Sequence, residues 1–143
     1  MNRLTVTKAL TANDVGETGS HQAGIAVPKQ QELLEFFPAL DAAVKNPDAW
    51  IFCQDPDGRV WKLRFIYYNN KLHDPDGTRN EYRLTHLTLF LKQNKAQVGD
   101  IVRFTTTEEP NRYLIALEHA SEAKKQERVD PDVIRLRGWR RVH

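Results

Sequence analysis

The tetrapeptide Asp-Pro-Asp-Gly occurs twice, at 55–58 and 74–77, each time beside a run rich in aromatic and branched residues. Proline presets one turn dihedral, aspartate bonds back to nearby backbone, and glycine accepts a positive φ. Between apolar runs this combination marks a reversal of direction. The first copy separates AWIFCQ (49–54) from VWKLRFIYY (60–68), which predicts a hairpin with a tight turn. The second separates IYYNNKLH (66–73) from TRNEYRLT (78–85). These are one turn chemistry used twice, not a duplicated domain. A chain that reverses this often must build its core from short strands.

The rest of the chain fits that constraint. RLTVTKALT (3–11) alternates apolar and polar residues, the pattern of a half-buried strand. ANDVGETGSHQ (12–22) reads as an exposed polar loop, and AGIAVP (23–28) as a short buried strand stopped by Pro28. Leu33, Leu34, Phe36 and Phe37 within 29–40 have helical spacing, Pro28 favours a helix start, and Pro38 ends it. LTLFLKQNK (87–95) fits a helix or a strand. VGDIVRFTTT (98–107) and RYLIALEH (112–119) are further strands, joined by EEPN. From Ala120 the chain becomes highly charged and closes on VIRLRGWRRVH, with four arginines. The pattern predicts one domain over 1–119, a small barrel, with 120–143 as a charged extension, linker or final element.

Composition narrows the chemistry. A net charge of +2 is too small for a general polycation, so any nucleic-acid partner requires positive charge gathered on one side. The single cysteine, Cys53, builds neither a disulfide framework nor a cysteine-rich zinc site, which fits a reducing compartment. No signal core or membrane-length apolar run is present, so a cytoplasmic location without a membrane partner is expected. Asp48 with Glu122-Ala123-Lys124 matches a magnesium-nuclease pattern formally, but the second element falls in a charged run where such spacing arises by chance. His21, His73, His86, His119 and His143 lack paired helical spacing, and neither Asp-Pro-Asp-Gly turn continues into a calcium loop. No metal or cofactor is expected in this chain.

Two polar segments remain. TRNEYR (78–83) crowds arginine, asparagine and glutamate together. Arginine can grip guanine O6 and N7, asparagine can bridge adenine N6 and N7, and glutamate can accept from the cytosine amino group. In an extended segment Arg79, Glu81 and Arg83 share one face, and Asn80 and Tyr82 the other. An exposed strand edge with cross-strand ion pairs has the same composition. TGSHQAG (18–24) offers Ser20, His21 and Gln22 among glycines that permit close backbone approach, though a plain loop tip looks the same.

Taken in order, LTANDVGETGSHQAGIAVPK (10–29) and IYYNNKLHDPDGTRNEYRLTHL (66–87) resemble the N-terminal effector domain family of EcoRII-type restriction endonucleases. The blocks cover about a third of the chain, and VGDIVRF adds a turn and strand typical of the wider fold. The resemblance implies a mainly β fold, a seven-stranded open DNA-binding pseudobarrel with two short helices at its ends. Plant transcription-factor domains share this fold. It implies two arms that enter the major groove, one carrying Ser20, His21 and Gln22, the other Thr78, Arg79, Asn80, Glu81, Tyr82 and Arg83. Asn69, Asn70 and Lys71 would lie near the DNA backbone, with Lys29 and Lys71 anchoring phosphates. Ala26, Gly77 and Tyr82 depart from the family pattern, which has tyrosine, lysine and lysine in the corresponding neighbourhoods.

The implied function is sequence-specific binding of double-stranded DNA at a short C·G-rich site such as CCWGG. The domain would be the monomeric effector of a Type II enzyme whose separate nuclease domain uses magnesium. The alternatives are a stand-alone transcriptional regulator of the same fold, a single-strand or RNA-binding barrel stacking bases on Tyr67, Tyr68 and Tyr82, and a small metal nuclease using Asp48 and Glu122.

Overall fold

The computed structural model describes residues 3–16, 24–120, 134–136 and 138–142. Nine strands are present among them: β1 (Thr5–Ala9), β2 (Ile25–Val27), β3 (Asp48–Gln54), β4 (Val60–Tyr68), β5 (Glu81–Thr85), β6 (Ile101–Thr106), β7 (Arg112–Glu118), β8 (Ile134–Leu136) and β9 (Trp139–Val142). Three short helices accompany them: α1 (Gln31–Phe36), α2 (Asn70–His73) and α3 (Thr88–Gln93). The strands form one curled sheet in the order β2-β5-β4-β3-β7-β6-β1-β9-β8. Every pairing is antiparallel except β3 with β7.

The expected open, mainly β barrel is therefore present, with two corrections. The described strands number nine rather than seven, because β8 and β9 from the charged C-terminal stretch join the sheet through β1. The helices number three rather than two. The additional helix is α2, formed by Asn70–His73 ahead of the second Asp-Pro-Asp-Gly turn. The 29–40 helix shortens to six residues; Pro38 stops it, and the Tyr113 hydroxyl donates to the Phe36 carbonyl at 2.7 Å. The ambiguous 87–95 run resolves as α3, with Phe90 and Leu91 facing the core.

The first Asp-Pro-Asp-Gly turn forms as its residues dictate. Asp55 N–H donates to the Arg59 carbonyl at 2.9 Å, and Gly58 adopts φ +85°. The Asp55 carboxylate accepts from the amides of Asp57 and Arg59 and from Trp61 Nε1, each at 2.9 Å.

Alternation places Val6, Ile51, Cys53, Leu63, Phe65, Val102, Phe104 and Ile115 inside the curl. Through them runs a line of rings. Trp139 lies 6.2 Å from Phe104 and meets Phe37 edge-on at 6.1 Å. Phe37 stacks on Phe65 at 4.9 Å, Phe65 on Tyr82 at 5.7 Å, and Tyr82 on Tyr67 at 4.1 Å with planes 3° apart. Trp139 is fully buried, and its indole N–H donates to the Ala26 carbonyl on β2 at 3.0 Å. One side chain thus links β9 to the edge strand β2, with which it shares no ladder.

Replacing Trp139 by Phe removes that bond and some core volume. A loss of about 1–3 kcal/mol in unfolding free energy is expected, read as a lower urea midpoint at unchanged slope.

Candidate nucleic-acid interface

A groove of about 820 Å³ opens between the end of β1 and its following turn on one side and the β2 and β5 strands on the other. Lys8, Thr11, Asn13 and Asp14 form one lip; Lys29, Asn80, Glu81, Tyr82 and Arg83 belong to the other. The first lip is internally braced. Thr11 N–H donates to Asp14 Oδ2 at 3.0 Å, and Asp14 N–H donates to Thr11 Oγ1 at 3.2 Å. Lys8 Nζ, nearly buried, sits 3.1 Å from Asp14 Oδ2 and donates to the Ala9 carbonyl at 2.8 Å. Desolvating such a pair costs about what the attraction returns, so its consequence is a fixed geometry more than added stability. Ser20, His21 and Gln22, expected at the tip of this arm, lie outside the described residues.

The second lip is built on β5, which pairs with β2 and β4. Gly24 is required at the β2 end: its φ is +76°, and a Cβ there would stand 2.3 Å from the Leu84 carbonyl oxygen. The expected division of faces is realised. On one face Glu81 bridges two guanidinium groups, accepting from Arg79 Nε on Oε1 and from Arg83 Nε on Oε2, each at 2.9 Å. Arg79 also stacks 3.8 Å over the Tyr68 ring, and Arg83 NH1 donates to the Gly24 carbonyl at 3.1 Å. On the other face Tyr82 stacks on Tyr67, and Asn80 Oδ1 accepts from both the Tyr67 hydroxyl and Lys29 Nζ. Partial burial pushes the Glu81 carboxyl up, but the bonds from Arg79 and Arg83 outweigh it and hold the group below the usual carboxylate range. Burial and the neighbouring Tyr67 raise the Tyr82 phenol.

The lead-in residues divide. Lys71 and Thr78 are exposed beside the second lip. Asn70 Oδ1 accepts from the Arg79 amide at 2.7 Å, so it shapes the approach to the triad. Asn69 corrects the expectation of a place near DNA backbone, because it is fully buried. Its Oδ1 accepts from Asn46 N–H at 2.7 Å, and its Nδ2 donates to the carbonyls of Val44 and Ala42 at 2.9 and 3.3 Å. It pins the 42–46 loop under α2. Lys29, expected as a phosphate anchor, has its ammonium on Asn80 while remaining exposed.

For the nuclease pattern, Asp48 is bonded to Arg64 Nε at 2.7 Å, and Glu122 and Lys124 lie outside the described residues. Among the described residues no cluster of histidine, cysteine, aspartate and glutamate is arranged to hold a metal, and no helix is long and apolar enough to cross a membrane. Sequence reasoning did not single out Lys8 and Asp14. The Asn-Asp of the first polar segment was the available signal for the latter.

A curled, incompletely closed sheet with a polar cleft between the β1 turn and its β2–β5 side defines an open pseudobarrel. The solved structure of an Arabidopsis FUS3–DNA complex matches it with a TM-score of 0.59 and 26% identity, over 80% of this chain and 95% of that one. The family model described as "Restriction endonuclease EcoRII, N-terminal" matches residues 2–100, and the chain belongs to that family. The Type II restriction enzyme EcoRII of Escherichia coli is 33% identical over 92 residues, 59% of this chain and 21% of that protein.

 The AP2/ERF and B3 domain-containing transcription repressor TEM1 of Arabidopsis thaliana is 30% identical over 114 residues, 75% of this chain and 28% of that protein. The chain thus spans about a quarter of the length of the curated relatives it matches.

Two outcomes follow from the site. Asn69→Ala leaves the Asn46 amide and two loop carbonyls without their partner, and a loss of about 1–3 kcal/mol is expected in urea unfolding. The folded Glu81 carboxyl lies below its unfolded value, so its contribution is present above the ordinary glutamate range and disappears as pH falls through the folded value. The Arg79 and Arg83 Nε–H resonances should therefore be protected from exchange near neutrality and lose that protection together on acidification. In Glu81→Gln that pH step should be absent.

Proposed function

We propose that this domain binds double-stranded DNA sequence-specifically through the groove, as the effector or target-recognition domain of a Type II restriction endonuclease. The observation that carries the reading is the Arg79–Glu81–Arg83 triad at the groove edge, where one carboxylate orders two guanidinium groups. An unbraced arginine loses rotamer entropy on binding; a braced one has lost much of it beforehand, so more of each base contact appears as affinity. Glu81 also offsets local positive charge, which weakens attraction to any phosphate backbone and favours the duplex whose base edges fit. Lys29 and Lys71, exposed near the same lip, supply backbone attraction. The family membership and the FUS3–DNA likeness support a duplex partner.

The single-strand reading is less well supported, because the candidate stacking rings are covered: Tyr67 and Tyr82 by each other, Tyr68 by Arg79. A second reading, a transcriptional regulator using the same groove, draws support from the plant relatives. In the restriction reading, cleavage and its magnesium belong to a separate nuclease domain, and the target is a C·G-rich site of the CCWGG kind.

Anisotropy titrations at fixed salt, on a CCWGG duplex and a scrambled duplex, test the binding. Arg79→Ala and Arg83→Ala should each lose about 1–3 kcal/mol on the specific duplex and lose less on the scrambled one. Equal affinity of the unmodified domain for both duplexes overturns the CCWGG assignment, and selection from a random duplex pool then decides whether any sequence is preferred. Glu81→Ala should narrow the gap between the two duplexes; a uniform gain on both would remove Glu81 from base reading.

A further inference from the structure

We propose that Asn80 reads a guanine edge as a donor only, with the polarity of its amide set by Lys29 and Tyr67. The inference rests on the duplex-binding reading above and deepens it. Asparagine is ordinarily the partner of adenine, because its oxygen accepts from N6 while its nitrogen donates to N7. That pairing needs both ends of the amide.

Here one end is committed. Lys29 Nζ has three N–H groups and no lone pair, so the Asn80 atom that meets it must be the oxygen. The Tyr67 hydroxyl donates to the same oxygen. Tyr67 is held in place by its parallel stack on Tyr82, and Tyr82 by Phe65 behind it, so the hydroxyl is delivered from a fixed ring. Turning the amide over would set the Asn80 amino group against an ammonium, donor against donor.

The other end, Nδ2, has no partner among the described residues, and Asn80 lines the groove. What Asn80 offers a ligand is therefore an N–H pair. In the major groove guanine presents two acceptors, N7 and O6, whereas adenine sets its N6 donor beside N7 and cytosine presents a donor. A donor-only reader favours guanine and meets adenine's amino group unfavourably. Lys29 is then a positioning residue for Asn80 as well as a source of positive charge.

The test uses the domain with the best-binding duplex from the titrations above, carrying 7-deazaguanine in place of each guanine in turn. At one position the loss of N7 should weaken the unmodified domain roughly three- to ten-fold. The same substitution should have no further effect on Asn80→Ala. Asn80→Asp, which keeps an acceptor for Lys29 and Tyr67 but has no outward donor, should lose the same coupling while remaining folded by thermal melt. Lys29→Met should shrink the preference for guanine over adenine at that position, beyond its uniform loss of affinity on all duplexes. Coupling instead to an adenine N6 amino group, seen on replacing adenine by purine, overturns the proposal. So does the absence of coupling to any base, which would place Asn80 on phosphate. Failure of the unmodified domain to prefer any duplex would instead overturn the duplex-reading function itself, so the two failures are distinct.

Discussion

A curled sheet that does not close leaves a gap along its β2 edge, and here a single indole spans it. Trp139 sits on β9, donates across the gap to Ala26 on β2, and fills the interior between Phe104 and Phe37. A ladder across that gap would shut the groove; no link at all would leave Trp139 with a buried N–H lacking a partner. The ring line that begins at Trp139 ends at Tyr67, whose hydroxyl meets Asn80. Core packing and the polar lip are therefore parts of one contact chain, and the aromatic residues in the strands serve both.

The departures from the family pattern gain physical reasons from this arrangement. Gly77 stands where α2 comes so close that a Cβ would lie 2.1 Å from the Asn70 carbonyl oxygen, so a lysine there needs a different approach of the chain. Tyr82 adds a ring to the stack where a lysine would add a mobile charge. Ala26 lies opposite Arg83 in the β2–β5 register, leaving that arginine room to reach Gly24 and Glu81.

Much of this was legible in the sequence because it depends on near neighbours. Turn chemistry located the β3–β4 hairpin, and alternation put Arg79, Glu81 and Arg83 on one face. What was not legible depends on partners far along the chain. Asn69 and Asn70 are identical side chains in adjacent positions, yet one is sealed by Asn46 and its loop while the other remains half-exposed at Arg79. Lys29 and Asn80 are 51 residues apart, and nothing local to either announces the bond. The pairing of β9 with β1 likewise joins opposite ends of the chain, and a short arginine-rich strand does not stand out from charged sequence by periodicity alone.

The one parallel pairing among the described strands has its own consequence. β3 and β7 meet through Phe52–Arg112, Cys53–Tyr113 and Gln54–Leu114, and this joint separates an antiparallel block containing β5 from one containing β1. The two sides of the cleft thus belong to different blocks, which meet at this joint. The lips are therefore set relative to each other by two features in different parts of the sheet, the β3–β7 joint and the Trp139–Ala26 bond.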